Sequence, residues 1–250
     1  MLNDIATQHE PFRAEVAEWL EENFPKSLKG AGIAPFGGVE GEIPVQGDAA
    51  DWRDRLASRG WGTPTWPAEL GGGGLSHDAA KVLSEEMHKV GAINPIPLLA
   101  GMGVTMVGPT ILEYGTDDQK QRHIPGICSG KIRWCLGYSE PNAGSDAGNT
   151  QTTAILDGDN FIINGQKAFC TNAGVADTII ITAKLIEDNK EKGISAFIVE
   201  SNTKGLSLGK PEKKMGWRGS DTRSVFFENM IIPKENILGS PSKGFQQFLN

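Results

Sequence analysis

Apolar residues Phe12, Val16, Trp19, Leu20 and Phe24 recur at three- and four-residue spacing and stop at Pro25. That period predicts an amphipathic helix with one buried face. A short helix over residues 50–59 stops at Gly60, and Ser76 caps another whose inner face carries Ala79, Val82, Leu83, Met87 and Val90. Thr116-Asp-Asp-Gln119 has the form of a capping box. Residues 101–114 are rich in small and apolar side chains, as a tightly packed central helix requires. Residues 31–48 show no period and read as a surface loop. From Lys131 the period shortens to two, with strands expected over 132–136, 152–156, 161–163, 178–183, 194–199 and 224–227. Asp157-Gly158-Asp159-Asn160 and Asn164-Gly165 read as hairpin turns, and residues 187–193 as a charged exposed loop. Helices followed by strands, without alternation, predict an α+β chain: an all-α domain over 1–128 and an antiparallel β-domain over 129–240.

Composition narrows the setting. Apolar residues make up 38% and charged residues 22%, ordinary values for a folded globular chain. The net charge is −7, with the acidity concentrated in residues 1–128. This argues against a nucleic-acid partner, which needs a basic face. No apolar run reaches the ~18 residues of a membrane span, and the start lacks a signal peptide's basic-then-apolar order, so a cytoplasmic location is expected. Cys128, Cys135 and Cys170 form no C-x-x-C pair and read as buried free thiols. His9, His77, His88 and His123 are never at metal-ligand spacing, so no metal site is expected.

Candidate chemistry centres on W-C-L-G-Y-S-E-P-N-A-G-S-D, residues 134–146. Ser139 and Ser145 flank a turn forced by Pro141 and Gly144, where side-chain donors and free backbone N–H groups suit a phosphate. Further on, F-I-I-N-G-Q-K-A-F-C-T-N-A-G ends a strand in the hydroxyl of Thr171, just after the aromatic Phe169. Together the two segments fit a flat, phosphorylated cofactor. No G-x-G-x-x-G follows a strand, so a Rossmann grip is excluded. G-Y-S-E-P approaches a nucleophile elbow, but Pro141 replaces the last glycine and no His follows. Gly71–Gly74 reads as a flexible turn, since no P-loop lysine follows it. Lys210, Lys213, Lys214, Arg218 and Arg223 could draw phosphates or form an ordinary solvated surface.

Three ordered motifs, S-E-P-x-A-G-S-D, I-N-G-Q-K-x-x-x-T-N and K-M-G-W-R-G-S-D-T-R, resemble the acyl-CoA dehydrogenase family of FAD flavoproteins. The resemblance implies FAD as cofactor, with Ser139 and Thr171 hydrogen-bonding the isoalloxazine ring and Thr171 near its N5 edge. Ser145 is implied to contact the pyrophosphate and border the acyl-CoA channel. Leu136, Tyr138 and Gly144 fall in the same cofactor-binding set. Phe169 stands where the family usually has tryptophan, and Cys170 replaces a β-branched residue. Glu140 belongs to the cofactor loop and is rejected as the base, so no catalytic residue is assigned. Family members continue into a second helical domain that carries the catalytic glutamate. Residues 241–250 are expected to begin that domain, and the chain reads as a fragment inactive by itself. The implied reaction is α,β-desaturation of an acyl-CoA thioester, with electrons passed from FAD to an electron-transferring flavoprotein, in a homo- or hetero-oligomer. The alternatives are an acyl-CoA oxidase or flavin monooxygenase of the same fold, or a non-catalytic subunit of a heteromeric enzyme.

Overall fold

Helices account for the first part of the chain and strands for the second. The computed structural model describes residues 9–36 and 45–247. It divides into two units, Met1–Leu99 with Pro125–Lys131, and Ala100–Ile124 with Ile132–Asn250.

In the first unit, α1 (Glu10–Asn23) buries Val16 and Leu20, and α2 (Asp48–Ser58) buries Ala49, Trp52 and Leu56. The helix α3 (His77–Val90) begins where Ser76 Oγ accepts a bond from the Ala79 amide at 3.2 Å, and ends at Gly91 with φ 75°. A short α4 follows over Ile96–Leu99. Aromatic rings form much of the core: Trp19 lies 4.8 Å from Trp61 and 5.7 Å from Trp52, and Phe24 lies 4.9 Å from Trp52. The glycine run is packed, contrary to the expectation of a flexible turn. The Gly72, Gly73 and Gly74 amides donate to the Pro67, Thr63 and Trp66 carbonyls, and a Cβ on Gly60 would lie 2.2 Å from the Gly72 oxygen. Those amides are used up internally. Of the expected loop at 31–48, residues 37–44 lie outside the described residues; Ala34–Phe36 is a 3-10 turn and Asp48 already begins α2.

The expected central helix is present but changes type along its length, with a π-helical stretch over Gly103–Val107 running directly into α5 (Gly108–Tyr114). Pro109 lacks the N–H that a continuous α-ladder would use there, so the register changes just before it. The capping box is complete: Gln119 N–H donates to Thr116 Oγ1 at 3.2 Å, and Thr116 N–H donates to Gln119 Oε1 at 3.1 Å. It starts α6 (Asp117–Cys128).

The sheet of the second unit has eight strands: β1 Trp134–Gly137, β2 Thr153–Asp157, β3 Asn160–Thr171, β4 Thr178–Glu187, β5 Lys190–Glu200, β6 Leu206–Leu208, β7 Thr222–Pro233 and β8 Ile237–Leu238. The order is β6-β7-β3-β2-β4-β5-β8, with β1 also on β4. Pairing is antiparallel except that β1 and β2 both run parallel to β4. Two turn expectations change. Asn164-Gly165 is a bulge inside β3, where the register to β7 shifts between Ile163 and Gly165, so the strand continues without turning back. The charged loop at 187–193 shrinks to a two-residue turn, Asp188-Asn189, both at positive φ as a type I′ hairpin needs. One apolar cluster, including Ile163, Ile179, Ile181, Phe197, Val199 and Val225, holds the sheet together. A last helix, α7, covers Gly244–Gln247.

Candidate functional site

The site begins with an interruption in the sheet. β1 pairs with the first half of β4, Gly137 opposite Ile181, and β2 pairs with its second half, Thr153 opposite Lys184. Both run the same way, so residues 138–152 leave one edge of β4 and return to it a few residues further along. The excursion folds on itself through paired backbone bonds between Glu140 and Ala143, at 2.9 and 3.1 Å. Beyond the turn, Gly144, Ser145 and Asp146 are exposed. No hydrogen bond within the described residues uses their backbone N–H groups. Consecutive free amides of this kind attract an anion.

The second segment arrives on β3. Its pairing with β7 slips by one residue between Lys167 and Cys170, and the bulge puts Phe169 at φ 57° with 69% of its surface exposed. A bulky residue held in the left-handed region costs about 1–2 kcal/mol. A ring placed so unfavourably for folding is available for a ligand instead. Thr171, two residues on, is half-buried at the strand's end. The two segments meet directly: the Ala168 amide donates to the Ser139 carbonyl at 2.7 Å. Ser139 therefore sits beside the bulge that carries Phe169. Ser145 shares no hydrogen bond with Phe169 or Thr171 among the described residues.

The remaining sequence-derived residues are placed as follows. Leu136 is half-buried in β1 opposite Ile180, and Tyr138 is half-buried, with burial pushing its phenol up. Gly144 is open, with nothing within 4 Å of an added Cβ. Cys170 points its thiol into the core with Cys135, at 1% exposure, which leaves only its backbone for a ligand. Glu140 is 5% exposed. Its carboxylate accepts bonds from Lys167 Nζ at 2.8 Å, the Gln151 amide at 2.6 Å and the Thr152 amide at 3.1 Å. Burial raises the Glu140 carboxyl, but the bonds from Lys167, Thr152 and Gln151 outweigh it and hold the group below its usual range. A carboxylate so engaged is a poor proton acceptor.

Two groups were missed in the sequence. Lys167 is wholly buried, and its only signal was its place in the alternation of I-N-G-Q-K, on the inward-facing phase. Asp221, 3% exposed, accepts bonds from the Gly174 amide at 2.6 Å and Arg223 Nε at 2.7 Å, while its carbonyl accepts from the Asn172 amide at 2.9 Å. It fixes the turn that follows Thr171. Of the basic cluster, Lys214 Nζ donates to Thr222 Oγ1 at 2.9 Å and to the Ser220 carbonyl, while Lys210, Lys213 and Arg218 are exposed.

An exposed ring, nearby hydroxyls and free consecutive amides are the donor set a flavin with a pyrophosphate tail requires, so the residues present fit FAD. The profile of the acyl-CoA dehydrogenase N-terminal domain matches residues 6–131, and that of the middle domain matches residues 135–230. The chain belongs to the acyl-CoA dehydrogenase family. It is 43% identical over 177 residues to the short-chain specific acyl-CoA dehydrogenase of Clostridium acetobutylicum, covering 71% of this chain and 46% of that protein. The human mitochondrial short-chain specific acyl-CoA dehydrogenase is 42% identical over 180 residues, covering 72% and 43% respectively. The butyryl-CoA dehydrogenase structure from Megasphaera elsdenii superposes with a TM-score of 0.67 at 30% identity, covering 94% of this chain and 60% of that one. The chain thus spans about half the length of the curated relatives it matches. Among the described residues, no helix is long and apolar enough to cross a membrane.

Proposed function

We propose that this chain forms the flavin-holding part of an FAD-dependent acyl-CoA dehydrogenase that desaturates an acyl-CoA thioester between its α- and β-carbons. The observation that carries this reading is Phe169: an exposed ring on a bulge, beside Thr171 and linked through the neighbouring Ala168 amide to the Ser139 segment. FAD, when bound, supplies a two-electron acceptor for the hydride leaving the β-carbon. The chain's own residues prepare that event. Ser139 and Thr171 offer hydroxyls to the ring edge, and donors there stabilise charge that grows on reduction. The amides of Gly144, Ser145 and Asp146 would receive the pyrophosphate, and the Ser145 hydroxyl would serve it and the acyl-CoA channel. Leu136, Tyr138 and the Cys170 backbone would complete the wall, and Phe169 would pack on the flavin and shield it from water.

No residue here is assigned as the base. Glu140 is excluded by its buried ion pair with Lys167. Reduced flavin would pass electrons to an electron-transferring flavoprotein, and the complete protein would be a cytoplasmic homo- or hetero-oligomer.

The reading is tested by purifying the complete gene product under native conditions, releasing any flavin by heat and treating it with phosphodiesterase. FAD, recognised by the rise in fluorescence on cleavage to FMN, is the expected result. A protein free of flavin that also fails to take up added FAD refutes the reading.

A further inference from the structure

Lys167 is the most deeply buried charge in the second unit, with 0% of its surface exposed. Taking an ammonium out of water costs several kcal/mol unless it is paired and fully hydrogen-bonded. Its three donors find three partners: Glu140 Oε1 at 2.8 Å, the Tyr138 carbonyl at 3.2 Å and Thr182 Oγ1 at 3.2 Å. Those partners are not scattered. Tyr138 and Glu140 flank Ser139, and Thr182 lies on β4 in the interval that β1 and β2 leave uncovered, between Ile181 and Lys184. Lys167 itself is the residue at which the β3 bulge begins. The carboxylate it holds also binds the Gln151 and Thr152 amides, so one carboxylate joins both ends of the excursion that carries Ser145.

We propose that Glu140 and Lys167 act as a positioning pair that sets the Ser139–Ser145 loop in register with the Phe169–Thr171 bulge, and so fixes the geometry in which the flavin is held. This rests on the flavin reading above. Neither residue touches the ligand in this account. The pair acts through Ser139, which lies between Tyr138 and Glu140, the two residues that Lys167 bonds, and whose carbonyl accepts the Ala168 amide at the bulge. A buried pair of this kind adds little net stability against an apolar replacement, but removing one partner leaves the other unpaired. Position and stability are therefore separable by experiment.

The test uses the complete gene product with Lys167→Met and the double variant Lys167→Met/Glu140→Gln. Hydrogen exchange is followed at the Gln151, Thr152 and Ala168 amides, FAD binding by titration, and stability by thermal unfolding. Lys167→Met is expected to unfold at lower temperature, because Glu140 is left charged and buried. The double variant removes that charge and is expected to recover most of the lost Tm. It should still exchange the three amides at least tenfold faster than wild type and bind FAD at least tenfold more weakly, with a shifted visible spectrum of any flavin that remains. A double variant that regains FAD affinity along with Tm would overturn the proposal, because the pair would then serve stability alone. Unchanged exchange at the three amides in both variants would overturn it equally. Wild-type protein that takes up no FAD would refute the flavin reading itself, and the exchange data would still show whether the pair holds the loop.

Discussion

Replacing Phe169 by Ala separates a ligand-facing ring from a packing ring. A phenylalanine can bury ~200 Å2, and Phe169 leaves 69% of its surface exposed, so ~140 Å2 of ring remains to be covered. A flat ligand covers about half of that, worth ~2 kcal/mol at ~25 cal/mol per Å2, with stacking adding ~0.5–1.5 kcal/mol. Losing about 2.5–3.5 kcal/mol weakens binding by roughly 70- to 400-fold. Folding should hardly notice the change: the side chain is mostly outside the core, and Ala inherits the same left-handed backbone, so stability should stay within about 0.5 kcal/mol. FAD titration followed by protein fluorescence gives the first quantity, and thermal unfolding of the apo-protein gives the second. Affinity within threefold of wild type would refute the assignment. A large fall in Tm would refute it differently, by showing that the ring packs and does not wait for a ligand.

Three further outcomes are expected. Ser145→Ala and Thr171→Ala should each weaken FAD retention or slow flavin reduction, since a bond to a charged group is worth about 1.5–3 kcal/mol, while leaving apo-protein Tm nearly unchanged. Burial beside Arg122 lowers His123 to about 4 from an ordinary value near 6.5, so the unfolded chain binds a proton in that interval that the folded chain refuses. Stability should therefore fall as pH drops from about 6.5 to about 4, and urea unfolding of His123→Gln should show a shallower fall. Gly60→Ala should unfold well below wild type in differential scanning fluorimetry, because φ is 66° and the new Cβ would lie 2.2 Å from the Gly72 oxygen.

Much of this was legible in the residues, for identifiable reasons. Local signals carried through: Ser76 and the Thr116–Gln119 box cap helices, because capping depends on neighbours within one turn. The switch of period near Lys131 marked the change from helix to sheet. Long-range pairing was harder to read. Asn164-Gly165 has hairpin chemistry, yet its strand continues, because β7 pairs with β3 on both sides of the bulge and holds it extended. The glycine run looked loose because its partners, Pro67, Thr63 and Trp66, bond only through carbonyls that no side-chain pattern reveals. At the site, hydroxyls and turn residues announced themselves by type. Lys167 did not, since its meaning depends on Glu140 in the 138–152 excursion and Thr182 on β4 converging on it.

In the proposed function these two segments hold a flavin at which an acyl-CoA is oxidised. The most direct test is anaerobic titration of the flavin-loaded complete gene product with a series of acyl-CoA thioesters, recorded in the visible spectrum. At least one thioester is expected to bleach the flavin and yield the 2-enoyl product, and Phe169→Ala to lose this response in proportion to its flavin. A loaded protein whose flavin stays oxidised with every thioester, yet is readily reduced by dithionite, would contradict that function.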